Sequence, residues 1–202
     1  MSEVEQIEEN LRKLKKLGVS ETEIIKRYES KILSLKNGEL SYVFIKNIKG
    51  ADVKAHGNAI IESKNARWNY KFAKDIEGAD IKAHGKAVIE SKEPEWNYEF
   101  ALDIEGADIK AHEKVVLESK EPECNYYFAR YVKGADVMAH GRVIIESKDS
   151  RVNDWFKKNF EDEYKILKEN NLIDNAYNFI DDALDEMIKE NNEENKSMQK
   201  RS

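Results

Sequence analysis

Residues 69–96 read NYKFAKDIEGADIKAHGKAVIESKEPEW, and residues 97–124 read NYEFALDIEGADIKAHEKVVLESKEPEC. They differ at six of 28 positions. The same frame runs on both sides. Gly-Ala-Asp recurs at Gly50, Gly78, Gly106 and Gly134, and a histidine at His56, His84, His112 and His140. Phenylalanine recurs at Phe44, Phe72, Phe100, Phe128 and Phe156, and the serine of Glu-Ser-Lys at Ser63, Ser91, Ser119 and Ser147. Every interval is 28 residues. A fixed period of this size means stacked copies of one supersecondary unit. The units span 41–68, 69–96, 97–124 and 125–152, and a fifth begins at Asn153.

The unit reads as two helices. Trp68, Phe72 and Ile76 stand at i, i+4 and i+8, one face of a first helix. Gly78 suits a left-handed position after its end. Asp80 then fits the N-cap of a second helix, as do Asp52, Asp108 and Asp136 in their units. That second helix runs from Ile81 to about Ser91, with Ile81, Val88 and Ile89 inward and Lys86–Glu90 as an exposed i,i+4 pair. Glu93-Pro94-Glu95 is the return turn, with Pro94 opening the next helix. A strand reading fails, because no alternation is sustained and Ala, Lys and Glu fill the interiors. Apolar residues on two sides of so short a helix imply neighbours on both sides. The expectation is an all-α chain, an α-solenoid of four 28-residue helix-turn-helix repeats over 41–152 with helical caps.

The caps are expected at 1–40, a degenerate repeat, and at 153–190. In the first, Gly18 ends a helix and Ser20 with Glu23 forms a capping box for another. In the second, Trp155, Phe156, Phe160, Tyr164 and Leu167 mark one longer helix, and Asp174 caps a further one. Residues 191–202 have no core-forming pattern and read as a disordered tail.

This pattern resembles the α-solenoids of two-helix repeats, broadly the TPR and HEAT proteins. The period is shorter than theirs and their consensus residues are missing, so no binding residue carries over. The repeat also looks like short helical repeats of uncharacterised bacterial and phage proteins. The resemblance implies a binding protein.

Composition narrows the function. Charged residues make up 37% of the chain and the net charge is −6. No apolar run approaches ~18 residues, so no membrane span is expected. The start, MSEVEQIEENLRKLKK, lacks a signal-peptide core, which predicts a cytoplasmic protein. The single cysteine, Cys124, stands where Trp68 and Trp96 stand in sister units. It reads as a buried, inert thiol. The four histidines occupy one repeat position. Successive rungs would be ~8–10 Å apart, too far for one metal ion with bonds of about 2 Å, so they read as structural. The repeated aspartates are explained by capping. No nucleophile–base set or Gly-rich phosphate loop is present, so neither catalysis nor a cofactor is expected. Units two and three and the acidic C-terminal region interrupt any basic stripe, which disfavours nucleic acid.

A protein partner, basic in character, fits the acidic balance. The candidate contact face comes from positions that vary between units. Position three reads Val43, Lys71, Glu99, Tyr127, and position six reads Lys46, Lys74, Leu102, Arg130. Position seven reads Asn47, Asp75, Asp103, Tyr131, and position fourteen reads Lys54, Lys82, Lys110, Met138. Tyrosine and arginine are typical interface anchors, so Tyr127, Arg130 and Tyr131, with Met138, Glu99 and Leu102, are the expected binding residues. The competing account is that these tyrosines cover the C-terminal cap. The function expected is a non-catalytic adaptor or inhibitor. A phage or mobile-element inhibitor of a host defence nuclease complex is one alternative. A nucleic-acid or phosphate binder using Lys54, Lys82, Lys110 and the histidines is another.

Overall fold

The computed structural model describes residues 1–199, and among these the chain is all-helical. Helices α1 (Glu3–Lys16) and α2 (Glu21–Ser34) precede the repeats. Five first helices follow: α3 (Gly38–Asn47), α5 (Ala66–Asp75), α7 (Pro94–Asp103), α9 (Pro122–Tyr131) and α11 (Ser150–Asn159). Between them stand the second helices α4 (Val53–Glu62), α6 (Ile81–Ser91), α8 (Ile109–Ser119) and α10 (Val137–Ser147), and α12 (Glu161–Gln199) closes the chain. Each first helix packs on its own second helix. First helices also touch the next first helix, and second helices the next second helix.

Local chemistry sets the boundaries. Asp52, Asp80, Asp108 and Asp136 each accept the backbone N–H three residues on, at 2.9–3.1 Å. These are N-caps, as the sequence predicts. Gly78 lies at φ +82, as expected of a left-handed turn residue. The second helices end on lysine rather than glycine. Lys36, Lys64, Lys92, Lys120 and Lys148 all have φ between 49 and 59. Lys36, which ends α2, falls in the same 28-residue register as the other four.

The core is a column of rings. Phe44, Phe72, Phe100, Phe128 and Phe156 are fully buried, and the first four lie against the histidine of their own unit. The histidines are held by asparagines at the first repeat position. His84 pairs with Asn69 at 2.8 Å, His112 with Asn97 at 2.8 Å and His140 with Asn125 at 2.7 Å, all through Nδ1. Each asparagine Nδ2 donates to the carbonyl four residues back and to a carbonyl of the preceding second helix, such as Val88 O for Asn97 at 3.1 Å. With both amide hydrogens engaged, Oδ1 is the acceptor, so the histidine proton sits on Nδ1. Burial pushes His84 and His112 down to about 4, so these two rings are neutral at pH 7; burial also lowers His140, while the facing Glu113 opposes it. The pattern stops at both ends. Ser41 replaces asparagine beside His56. At the other end no histidine follows Asn153: buried Leu167 packs toward Gly141 and Phe156, and the Asn153 Oδ1 has no partner among the described residues.

Four expectations are corrected. The C-terminal region breaks at Phe160, whose backbone leaves the helical region (φ −141, ψ 58). Beyond it, α12 is one helix through Asp174, because no glycine or proline interrupts 161–199. Residues 191–199 are accordingly helical rather than a tail, and 200–202 lie outside the described residues. Ser20 caps α2 by accepting the Glu23 N–H, but the reciprocal capping box is at Ser2 and Glu5 of α1. No helix is long and apolar enough to cross a membrane, among the described residues.

Candidate functional site: a groove between α7 and α9

The outer edges of the first helices carry a repeated clasp. Tyr42 donates its hydroxyl hydrogen to Asp75 of the next first helix. Lys46 reaches the same carboxylate at 2.7 Å. One unit on, Tyr70 donates to Asp103, and Lys74 bonds that carboxylate at 2.6 Å. A tryptophan of the following helix covers each tyrosine. Trp68 lies on Tyr42 at 5.3 Å between centroids, and Trp96 on Tyr70 at 5.7 Å. The carboxylate and its lysine hold each other charged. Asp103 sits below the usual carboxylate range despite burial, because Lys74 and Tyr70 donate to it.

Between α7 and α9 all three partners of Tyr98 change. Cys124 stands at the tryptophan position, Tyr131 at the aspartate position and Leu102 at the lysine position. Tyr98 keeps only looser aromatic neighbours, Tyr127 at 6.1 Å and Phe128 at 6.5 Å. The clasp is absent, and a groove of about 550 Å³ opens there. Its walls are Tyr98, Tyr127, Tyr131 and Cys124, with Glu95, Glu99, Glu121 and Glu123 around them. At the next junction Arg130, Val152 and Asn159 stand at the lysine, tryptophan and aspartate positions, but another ring covers the tyrosine. Trp155 lies 5.5 Å from Tyr126, whose hydroxyl accepts from Asn159 at 3.0 Å.

The groove is acidic and aromatic. Glu123 is paired with Arg151, while Glu95, Glu99 and Glu121 make no ion pair among the described residues. Burial, then the neighbouring Asp103, raises the Glu99 carboxyl above its ordinary value. A cation entering the groove relieves that repulsion. Burial first, then Glu121, pushes the Cys124 thiol up to about 12. It stays protonated and is a poor nucleophile at pH 7.

The expected contact residues divide. Glu99, Tyr127 and Tyr131 line the groove. Leu102 is 38% exposed on the same helix as Glu99, and Arg130 is exposed with its guanidinium over the Tyr131 ring at 6.0 Å. Met138 is elsewhere. It lies on α10 and packs into the C-terminal cluster with Tyr126, Ile144 and Phe156. The two tyrosines answer the competing account differently. Tyr127 is half-buried against Trp155 and joins the C-terminal cluster, whereas Tyr131 is 54% exposed. Tyr98, Glu95, Glu121 and Glu123 were not singled out from the sequence. The simultaneous change at Leu102, Cys124 and Tyr131 was the available signal.

No three His, Cys, Asp or Glu side chains converge as a metal site requires, among the described residues. Comparison with protein-family models, curated proteins and solved structures finds no match to this chain.

Proposed function

We propose that this chain is an α-solenoid binding module whose α7–α9 groove takes a Lys/Arg-bearing segment of a protein partner. The observation that carries the reading is the open groove: at α7–α9 Leu102, Cys124 and Tyr131 replace the clasp and leave a cleft, whereas at α9–α11, where Arg130, Val152 and Asn159 replace it, Trp155 and Asn159 cover Tyr126. Around Tyr98 nothing takes the place of the lost ring and ion pair, and the cleft stays open. Its aromatic floor suits the stem of a long basic side chain, and three unpaired carboxylates suit its charge. The repeat architecture supports the reading, since stacked helical hairpins present extended faces for partners.

The test is to rebuild the clasp. The triple variant Leu102→Lys, Cys124→Trp, Tyr131→Asp copies the junction one unit earlier and should leave helix content unchanged. Tagged wild-type and triple-variant protein are used to capture partners from the source cell, and captured proteins are titrated by calorimetry. Wild type should hold a stoichiometric partner that the variant releases by at least ~10-fold in Kd. Equal retention by the closed variant would sink the groove as the contact.

A further inference from the structure

On the opposite, second-helix side, position 17 of the repeat holds two residue types. It is Gly57, Gly85 and Gly141 in three units, but Glu113 in the third and, in the same register, Glu29 in α2. Both glutamates do the same thing. Glu29 Oε1 accepts the Asp52 N–H at 2.8 Å and lies 3.6 Å from His56 Nε2. Glu113 Oε1 accepts the Asp136 N–H at 2.5 Å and lies 3.5 Å from His140 Nε2. Lys110 closes on the other oxygen of Glu113 at 2.7 Å. The fold thus has a carboxylate seat. It consists of the N-cap N–H of one second helix, the Nε2 of its histidine and a lysine from the preceding second helix.

At Gly85 the seat is present without its carboxylate. The Asp108 N–H makes no hydrogen bond among the described residues, and His112 Nε2, buried without a hydrogen bond like those of His56 and His140, lacks the carboxylate that stands beside those two. A Cβ placed on Gly85 stands 3.6 Å from that nitrogen, so the missing side chain would point at it. In its place is a cavity of about 360 Å³, walled by Ile81, Ile89, Phe100 and Ala107, with Lys82 in the position of Lys110. Phe–His centroids are 5.2 and 5.0 Å apart where a glutamate is seated, and 4.8 Å at both Gly57 and Gly85. An added Cβ at Gly57 stands 3.3 Å from His84 Nε2, and one at Gly85 also meets Phe100 Cε1 at 3.2 Å.

We propose that the cavity between α6 and α8 is a binding site for a small aliphatic carboxylate. Its carboxyl group takes the place of the Glu113 carboxylate, on the Asp108 N–H, His112 Nε2 and Lys82. Its short chain lies against Ile81, Ile89 and Phe100. The proposal is independent of the α7–α9 groove. The proton balance follows from the tautomer. Nδ1 carries the ring proton, so Nε2 offers a lone pair, and each bound anion brings one proton to Nε2 from solvent. The charged groups facing this ring are Asp108 of its own helix and Lys82 and Lys86 of α6. From α7 it meets the neutral Asn97 and Phe100, and no charged side chain of α9 or α10 lines the cavity.

The probe is butyrate, with butyramide as the neutral isostere, titrated into the full chain and followed by heteronuclear NMR. Butyrate should saturably shift the Asp108 amide and the His112 ring, tightening by up to about tenfold per pH unit as pH falls from neutrality. Butyramide should shift neither. Gly85→Glu supplies the carboxylate in cis and should weaken butyrate binding by at least ~10-fold. Glu113→Gly should create a second set of shifts at Asp136 and His140, and it decides the matter if Gly85→Glu does not fold. Equal shifts with butyrate and butyramide, undiminished binding in Gly85→Glu, or no new site in Glu113→Gly overturns the proposal.

Discussion

Between α5 and α7 a tryptophan covers a tyrosine, and an aspartate and a lysine close over its hydroxyl. Between α7 and α9 a cysteine, a tyrosine and a leucine stand in those places, and the helices leave a cleft. Beneath the two junctions the interior is the same. Phe100 and Phe128 are both fully buried, and Asn97–His112 and Asn125–His140 make the same bond. The outer layer has therefore changed while the inner layer has not. In a repeated fold this separation lets one junction acquire a surface of its own at small cost in stability, because the clasp is half-exposed and screened by water.

The comparison is tested first at its common base. Phe100→Ala and Phe128→Ala should each cost about 3–5 kcal/mol in urea unfolding, and by similar amounts, since each empties the same buried slot. A large disparity would mean that the groove reaches the core.

Next is the shared polar ladder. Asn97→Ala and Asn125→Ala each strand a buried histidine N–H and a carbonyl, at roughly 2–3 kcal/mol. The ladder also sets the acid limb. Because burial lowers the folded value of His84 and His112 from 6.5 to about 4, the stability tied to the neutral rings is complete above 6.5. It is lost as pH falls through the folded value near 4. Thermal melts between pH 7 and 4 should show Tm falling, and His84→Gln should flatten that fall.

The outer layer is tested by exchange. Trp96→Cys, which copies Cys124, should cost about 1–2 kcal/mol and expose Tyr70, read as faster tyrosine quenching by acrylamide. Asp103→Asn should cost at most ~1 kcal/mol and show weaker dependence on salt than wild type.

The smallest effect is common to both units. Lys92 and Lys120 occupy left-handed backbone that favours glycine. Lys92→Gly and Lys120→Gly should each raise stability by up to ~1 kcal/mol, with the groove unaltered.

The sequence made the helical pairs legible because duplication repeats every cap and every core residue at one interval. Gly78, Asp80 and Phe72 each announce their role. Asn69 did not, since a polar residue near a helix start reads as solvent-facing. Its partner, His84, lies 15 residues on and across a turn. Lys92 was equally silent, because lysine is seldom chosen for a left-handed cap. At the C-terminus, Asp174 looked like a cap, yet Asn and Asp within a long polar stretch are tolerated in a helix when nothing else stops it. The groove was half legible. Tyr127 and Tyr131 stood out as aromatic residues on a charged row, whereas Met138, chosen by the same logic, belongs to a second helix and faces the C-terminal cluster. Position 17 carries no signal in the sequence, because Gly57 and Gly85 invite a packing explanation. Only the distances around Glu113 reveal what a glycine leaves out.

The asparagine–histidine ladder has a genetic consequence. Every rung joins atoms that the next rung also owns, so excising or inserting 28 residues between equivalent positions from Asn69 to Asn125 breaks no bond that is not remade. Units two and three are identical at 22 of 28 positions, so an exchange between them leaves every rung in register. Ser41 and Leu167, which offer no such bond at either end, act as punctuation. Such a gene can change the length of its product by whole units while the boundaries stay fixed.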